Sequence, residues 1–279
     1  MPNKENHQSI SVSHSPGDSY VLIIKDSHVL VKSGSANAIF PYASDFNTDI
    51  TKLERAEYLG ICVGTPFYCL SFGDDITIPE NTEFRNMWTL LFHIDESLMN
   101  TVFKAVHIVH WLGHSRFCGV CGNPTVKSDA ERARVCKSCG SIIFPRISPA
   151  VILAIVWNDR LLLAHNKQFS EGQFSLIAGF IEPGETFEET AKREAFEETG
   201  IRIKNIKYFG SQPWPFPDSL MIGLTAEYDE GKITPDGTEI DKAEWFKVED
   251  LPNFPGNVSI AGKLIDWFAQ NSGTQNVEN

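Results

Sequence analysis

No stretch of this 279-residue chain approaches the roughly 18 consecutive apolar residues that a membrane-crossing helix requires; the apolar run Ala150–Trp157 has strand length. No membrane partner is therefore expected. Positive charge is also scarce: 24 Lys and Arg against 36 Asp and Glu leave a net charge of −12. That balance opposes non-specific attraction to phosphate backbones or anionic lipid. Any nucleotide handled by such a chain needs a metal ion, or a small local basic site, to offset like charge. Residues 1–19 are polar and lack an apolar signal core, so the expectation is a cytoplasmic protein with a loose tail. Cysteine is sparse as well. Of six cysteines, four fall as Cys118-x2-Cys121 and Cys136-x2-Cys139, a spacing that points to metal ligation in a reducing compartment rather than to disulfides.

Apolar mass, by contrast, is ample: 42% of residues are hydrophobic and 19 are Phe, which excludes wholesale disorder. The length suggests about two domains. From Tyr20 the pattern is β-like, with hairpins expected at VLIIK/VLVK and at YLGICVG/FYCLSF around a Gly64-Thr65-Pro66 break. Leu98, Val102, Ala105, Val106, Val109 and Leu112 then recur at helical steps, with Gly113 placed to end the helix. Beyond the cysteines, ISPAVILAIVW, the Asn158-Asp159 turn and RLLLA read as a buried strand pair; FSLIAGF, IRIKNIKYF and SLMIGLTAEY add strands. Helices are expected over Thr186–Glu198 and Val258–Ala269, the second with Ile260, Leu264, Ile265 and Phe268 inward. The organisation expected is a tail over 1–19, an α+β domain over 20–113, a four-cysteine ribbon over 114–145, an α/β domain with a mixed sheet over 146–270, and a tail over 271–279.

The two cysteine pairs are separated by 14 residues and flanked by Gly119, Gly122 and Gly140. Each pair makes a tight knuckle, and the two complete a tetrahedron of thiolates around one Zn²⁺. Four thiolates leave no open coordination position, so the site is structural. A nucleic-acid-binding role for the ribbon is the alternative, disfavoured because the ribbon is not distinctly basic in its context. His114 is a conceivable substitute ligand but reads better as a surface or packing histidine. Cys62 and Cys69 sit among apolar residues as buried thiols.

One segment defies packing logic. Between Glu182 and Glu198 there are seven glutamates against Lys192 and Arg193 alone. Thr186 with Glu189 fits a capping box that starts a helix. Within that helix Glu194 and Glu198 lie four apart with Glu197 beside them, on a stripe with Phe187 and Ala191 where core-facing residues are expected. Like charges at that spacing destabilise a helix. The chemistry that needs such a cluster is binding of hard divalent cations, which take carboxylate oxygens and bridge to phosphate. The bland alternative is a solvated acidic face.

The run GFIEPGETFEETAKREAFEETGI, Gly179 to Ile201, resembles the Nudix box, G-x5-E-x7-R-E-U-x-E-E-x-G-U, at every fixed position, with a small Ala195 in one bulky slot. The resemblance implies a Nudix hydrolase with an α/β/α sandwich, cleaving a nucleoside diphosphate linked to another moiety. It implies that Glu194, Glu197 and Glu198 hold two to three Mg²⁺ or Mn²⁺ ions, that Arg193 orients the carboxylates, and that Glu185 supports the loop or the outer shell of the metals.

Ten residues past the box lies SQPWPFPDS, Ser211 to Ser219. Pro213, Pro215 and Pro217 fix φ at alternate positions, so a stiff extended loop is expected, presenting Trp214 and Phe216 for stacking and Gln212 and Ser219 for hydrogen bonds. A purely structural loop fits the same residues. Together with the ribbon, SRFCGVCG and FPRISPAVI, this segment resembles the NADH pyrophosphatase subfamily, also described as NAD-capped RNA hydrolases, over about Trp111 to Phe268. That resemblance implies hydrolysis of NAD(H) to NMN(H) and AMP, action on NAD-capped RNA, and a homodimer. It implies a metal-facing carbonyl at Ala178 and a further carboxylate at Glu239. Substrate contacts are implied for Glu131, Phe144, Phe180, Ala261, Glu239 and the stretch from Gln212 through Asp218 to Ser219. Tyr is frequent in the family where this chain has Phe144, so a hydroxyl is missing there. The alternatives are a Nudix enzyme preferring ADP-ribose or dinucleoside polyphosphates, and an inactive Nudix-fold binding protein.

Overall fold

The computed structural model describes residues 19–73, 75–252 and 258–272; the expected tails fall almost wholly outside them. The chain divides into two compact units, 1–124 and 125–279.

In the first unit, β1 (Tyr20–Lys25) and β2 (His28–Lys32) form an antiparallel hairpin, as do β3 (Glu57–Cys62) and β4 (Thr65–Ser71). The second turn is Val63-Gly64, both at positive φ, a geometry that matches strand twist; Thr65 and Pro66 already belong to β4. Two features were not anticipated. β1 pairs with β4 in parallel, and β5 (Thr82–Asn86) closes the sheet beside β2, giving the order β3-β4-β1-β2-β5. After a single turn, α1 (Met87–Leu90), the long helix α2 (Glu96–His114) packs on β4, β3 and β1. Asp95 caps it. Val102, Ala105, Val106 and Val109 are buried as expected, but so are Phe103, Ile108 and Trp111, whereas Leu98 and Leu112 are half-buried. Gly113 does not end the helix, which stops one residue later where Ser115 turns its N–H and hydroxyl to the Trp111 carbonyl. Cys69 is buried; Cys62 is only half-buried, its thiol facing the Ser97 carbonyl.

The ribbon strands β6 (Thr125–Lys127), β7 (Arg134–Cys136) and β8 (Ile142–Ile143) make a three-stranded antiparallel sheet. The main sheet of the second unit runs β12 (Ile201–Trp214), β13 (Ser219–Gly231), β9 (Ser148–Trp157), β10 (Arg160–Asn166), β14 (Ile240–Phe246), with β11 (Ile177–Phe180) also on β9. β9 and β13 are parallel and the other pairs antiparallel, so the sheet is mixed. β9 is apolar on both faces because both are covered. Val151, Leu153 and Ile155 pack with Ala191 and Ala195 of α3 (Phe187–Thr199); Ile152 and Ala154 pack with Ile260, Leu264, Ile265 and Phe268 of α4 (Ile260–Asn271). The result is a sheet between two helices, an α/β/α sandwich.

The proline-rich segment corrects one expectation. β12 continues through Trp214 and β13 begins at Ser219, so only 215–218 form a connection, and SQPW is strand rather than loop. Pro213 is tolerated because β12 is an edge strand, where a missing N–H need not break the ladder. α4 begins at Ile260, capped by Ser259, two residues later than Val258.

Candidate active site

The ribbon builds two matching knuckles. In each, the first cysteine's carbonyl accepts the N–H of the glycine four residues on, Gly122 for Cys118 and Gly140 for Cys136, at 2.8 Å. Both glycines lie in the left-handed region, at φ 74° and 76°, where a side chain would be strained. The ligand atoms of Cys118, Cys121, Cys136 and Cys139 all lie within 4.8 Å of one another. The Val120 N–H faces the Cys118 sulfur at 3.4 Å, an arrangement that favours thiolate. His114 plays no part in this group; its ring faces the His110 carbonyl. Glu131 and Phe144 stand exposed on the ribbon.

In the sandwich, Thr186 and Glu189 form the capping box and Gly200, at φ 73°, closes α3. Arg193 is the hub of the acidic cluster. Its Nε and Nη2 donate to the two oxygens of Glu185 at 2.7 and 2.9 Å, its Nη1 to Glu194 at 2.7 Å and Glu197 at 3.1 Å, and its Nη2 also to the Phe180 carbonyl at 2.9 Å. All of the guanidinium N–H groups are thereby engaged. Glu185 also accepts from Thr190 and from the Glu182 N–H, and the bond from Arg193, foremost, holds its carboxyl down at about 2.

Glu198 is the opposite case. It is buried and one oxygen, Oε2, has no hydrogen-bond partner. Burial, then repulsion from Glu194, Glu239, Asp236 and Glu197, pushes its carboxyl up to about 8. Burial raises Glu194 as well, against the pull of Arg193. Glu197 and Glu239 are exposed, and Glu239 precedes β14. Among the described residues the carboxylate oxygens do not close into a compact metal-sized group as the thiols do. Gly179 on β11 explains itself: a Cβ there would lie 1.9 Å from Glu194 Oε1, so only glycine lets that carboxylate lie against the strand. Phe187, expected inward, is 44% exposed; Thr190, Ala191 and Ala195 are buried in its place.

Strand register shows what lies on the other face. Phe180, Ala150, Met221 and Gln212 are consecutive partners across β11, β9, β13 and β12, and in-register residues share a face. Ala178, Met221 and Ala261 pack into the α4-side core. Gln212 extends this row to α4 itself: its amide donates to the Val258 carbonyl at 2.8 Å and accepts the Ile260 N–H at 2.7 Å. One N–H and the carbonyl of that amide are thus engaged by the start of α4. Phe180 is 55% exposed, and Trp214 meets Phe216 edge-to-face at 5.4 Å rather than presenting two independent rings. Pro215 and Ser219 are buried, Asp218 is half-buried with Arg146 3.7 Å away, and Pro213 and Pro217 are exposed. Sequence reasoning missed Asp236 and Lys167, which hold the Glu239 turn; the Asp236-Gly237 dipeptide was the available signal.

Comparison with known proteins defines the class first. Residues 147–268 match the NUDIX domain, residues 114–144 the NADH pyrophosphatase zinc ribbon domain, and residues 18–111 the NADH pyrophosphatase-like rudimentary NUDIX domain. The N-terminal third, expected only as an α+β domain, is thus a second Nudix-like unit. Among full-length relatives, the NAD-capped RNA hydrolase NudC of Pseudomonas syringae pv. syringae is 40% identical over 216 residues, covering 77% of both chains. NudC of Pseudomonas syringae pv. tomato is 39% identical over 86% of both chains, and that of Photobacterium profundum 38% identical over 84% of this chain and 85% of that one. The chain belongs to the family of these NudC proteins. No helix among its described residues is long and apolar enough to cross a membrane.

Proposed function

We propose that this protein hydrolyses the diphosphate bond of NAD(H) to NMN(H) and AMP, and removes NMN from the 5′ ends of NAD-capped RNA. The observation that carries this reading is the buried, half-unpartnered Glu198 beside Glu194 and within reach of the charge on Glu239. Such an arrangement is unfavourable for an acid by itself and suited to one that ligates a cation. The orphaned Glu198 oxygen, the notch at Gly179 and an all-oxygen donor set fit Mg²⁺ or Mn²⁺. Glu194, Glu197, Glu198, Glu239 and the Ala178 carbonyl would hold two to three such ions. Bound there, the ions supply charge that neutralises the diphosphate and lowers the pKa of the attacking water.

The chain's own groups do the rest. Arg193 fixes Glu194 and Glu197, and through the Phe180 carbonyl it ties the cluster to the backbone at the end of β11. Glu197 and Glu239, the exposed carboxylates, are the two candidates to take the proton of the attacking water. Phe180 and Trp214 stack on the nicotinamide, while Pro213 to Ser219 and Ala261 line its pocket on the α4 face. Gln212 sets the start of α4 against that pocket. Glu131 and Phe144 add contacts from the ribbon, whose four cysteines hold one structural Zn²⁺ in a reducing compartment, the cytoplasm. The working form is a homodimer, and the functional divisions of the chain are 20–113, 114–145 and 146–270.

The test is incubation of purified protein with NADH, NAD⁺, NAD-capped RNA and ADP-ribose in parallel, with Mg²⁺ or Mn²⁺, and identification of products by mass. NMNH and AMP are expected; comparable turnover of ADP-ribose would remove the nicotinamide-specific reading. The Glu198→Gln variant should lose at least ~100-fold in turnover with folding intact, as for loss of a metal's carboxylate ligand.

A further inference from the structure

Glu239 lies outside the box, on a turn between β13 and β14, and the structure shows what holds that turn. The Asp236 N–H donates to the Glu198 carbonyl at 3.2 Å, anchoring the turn to the last residues of α3. The Asp236 carboxylate then accepts the Glu239 N–H on Oδ2 at 3.1 Å and the Ile240 N–H on Oδ1 at 2.8 Å. Between them Gly237 sits at φ 70°, which folds the chain back on itself. From the other side Lys167 donates its backbone N–H to the Glu239 carbonyl at 2.9 Å and its ammonium to the Gly237 carbonyl. One residue, Asp236, therefore links the two: its own N–H ties the turn to the backbone that carries Glu198, and its carboxylate, which an alanine would remove, holds the backbone of Glu239 to that anchor. A ligand on an exposed turn needs such a link, because misplacement of a carboxylate by about 1 Å is enough to weaken a metal site.

We propose that Asp236 is a positioning residue, fixing Glu239 against the end of α3 so that its carboxylate completes the divalent-cation site. This rests on the reading of Glu239 as a metal ligand. A purely structural turn would stabilise the fold without acting through Glu239, and the two roles are separable.

The experiment is Mn²⁺ binding to the full-length, zinc-loaded protein, followed by electron paramagnetic resonance. It compares the wild type with Asp236→Ala, Asp236→Asn, Glu239→Gln and the double variant Asp236→Ala/Glu239→Gln, with the folded state of each checked by circular dichroism. Asp236→Ala should weaken Mn²⁺ binding by roughly 10-fold, the range for loss of a partner that orients a ligand. Asp236→Asn, which keeps one carbonyl acceptor and is the milder change should the alanine variant misfold, should recover part of that loss. The double variant should bind like Glu239→Gln alone, since the aspartate acts only through the glutamate. Additive losses, or wild-type binding by Asp236→Ala, would overturn the inference while leaving Glu239 as a ligand. Wild-type binding by Glu239→Gln would instead remove Glu239 from the site, and this inference with it.

Discussion

Removing the cations from this site should make the protein's stability fall as pH rises, and the effect should be traceable to one side chain. An unfolded glutamate titrates near 4.3. In the folded chain burial and surrounding carboxylates push Glu198 up to about 8. Between those values the folded state keeps a proton that the unfolded state has lost, so each pH unit costs up to about 1.4 kcal/mol of stability. The contribution of protonated Glu198 is complete below pH ~4.3 and is lost as pH climbs through about 8. The span sets a ceiling of about 5 kcal/mol, and water entering beside the orphaned oxygen together with shifts of neighbouring acids lowers the expected figure to about 2 kcal/mol. For a unit of this size that corresponds to roughly 4–8 °C in Tm. The assay is thermal unfolding at pH 5 and pH 8 in buffer free of Mg²⁺ and Mn²⁺, with zinc content verified, for wild type and Glu198→Gln. Histidines also titrate in this window, so the quantity that matters is the difference between the two proteins. At pH 5 they should unfold at similar temperatures; at pH 8 the glutamine variant should be the more stable. Saturating Mn²⁺ should then restore the wild type and raise the variant, which keeps the remaining carboxylates, by less. A wild-type-minus-variant difference that ignores both pH and Mn²⁺ would refute the claim that cations offset the burial of this carboxylate.

Three further outcomes follow from the geometry. Gly179→Ala places a methyl group 1.9 Å from Glu194 Oε1, so NADH hydrolysis should drop by at least ~100-fold; a variant with wild-type turnover would show that Glu194 need not lie against β11. Ala195→Leu crowds a fully buried position between α3 and the sheet, and urea unfolding should register a loss of about 1–3 kcal/mol, even though the family pattern prefers a bulkier residue there. Cys136→Ser should reduce bound zinc from about one ion per chain to a small fraction by elemental analysis, with a lowered unfolding temperature; full zinc retention would mean that the knuckles do not hold the metal.

What was legible in the sequence was local or periodic. β9 announced itself as a doubly covered strand, and the capping box at Thr186 and Glu189 marked the start of α3 to the residue. What escaped depends on contacts distant in the chain. The parallel pairing of β1 with β4 joins residues more than forty positions apart, and without a box of its own the N-terminal third carried no sign of a Nudix-like unit. Phe187 shares a helical stripe with Ala191, but it is the first residue of α3, and that end of the helix leaves it exposed while Thr190 is buried. Three alternate prolines suggested a loop, yet an edge strand accommodates Pro213 because edge N–H groups need no partner. Gly113 was a plausible terminator by type, but a helix ends where its last carbonyls find other donors, here at Ser115.

The acids of this site are not equivalent, and Arg193 is what divides them. A single guanidinium cannot neutralise Glu185, Glu194, Glu197, Glu198 and Glu239 together, and its donors go first to Glu185, which becomes a permanently ionised strut. Glu194 and Glu197 receive one donor each from it, enough to orient them without satisfying their remaining lone pairs. Glu198 receives none. The cluster therefore grades from a carboxyl held near 2 to one raised to about 8 within four turns of chain around one helix. Environments that push like groups this far apart mark distinct roles. On the proposed function the lowered acid supports the loop and the raised one takes a positive charge, which favours a divalent cation at Glu198 and Glu194 over the exposed glutamates of the first turn.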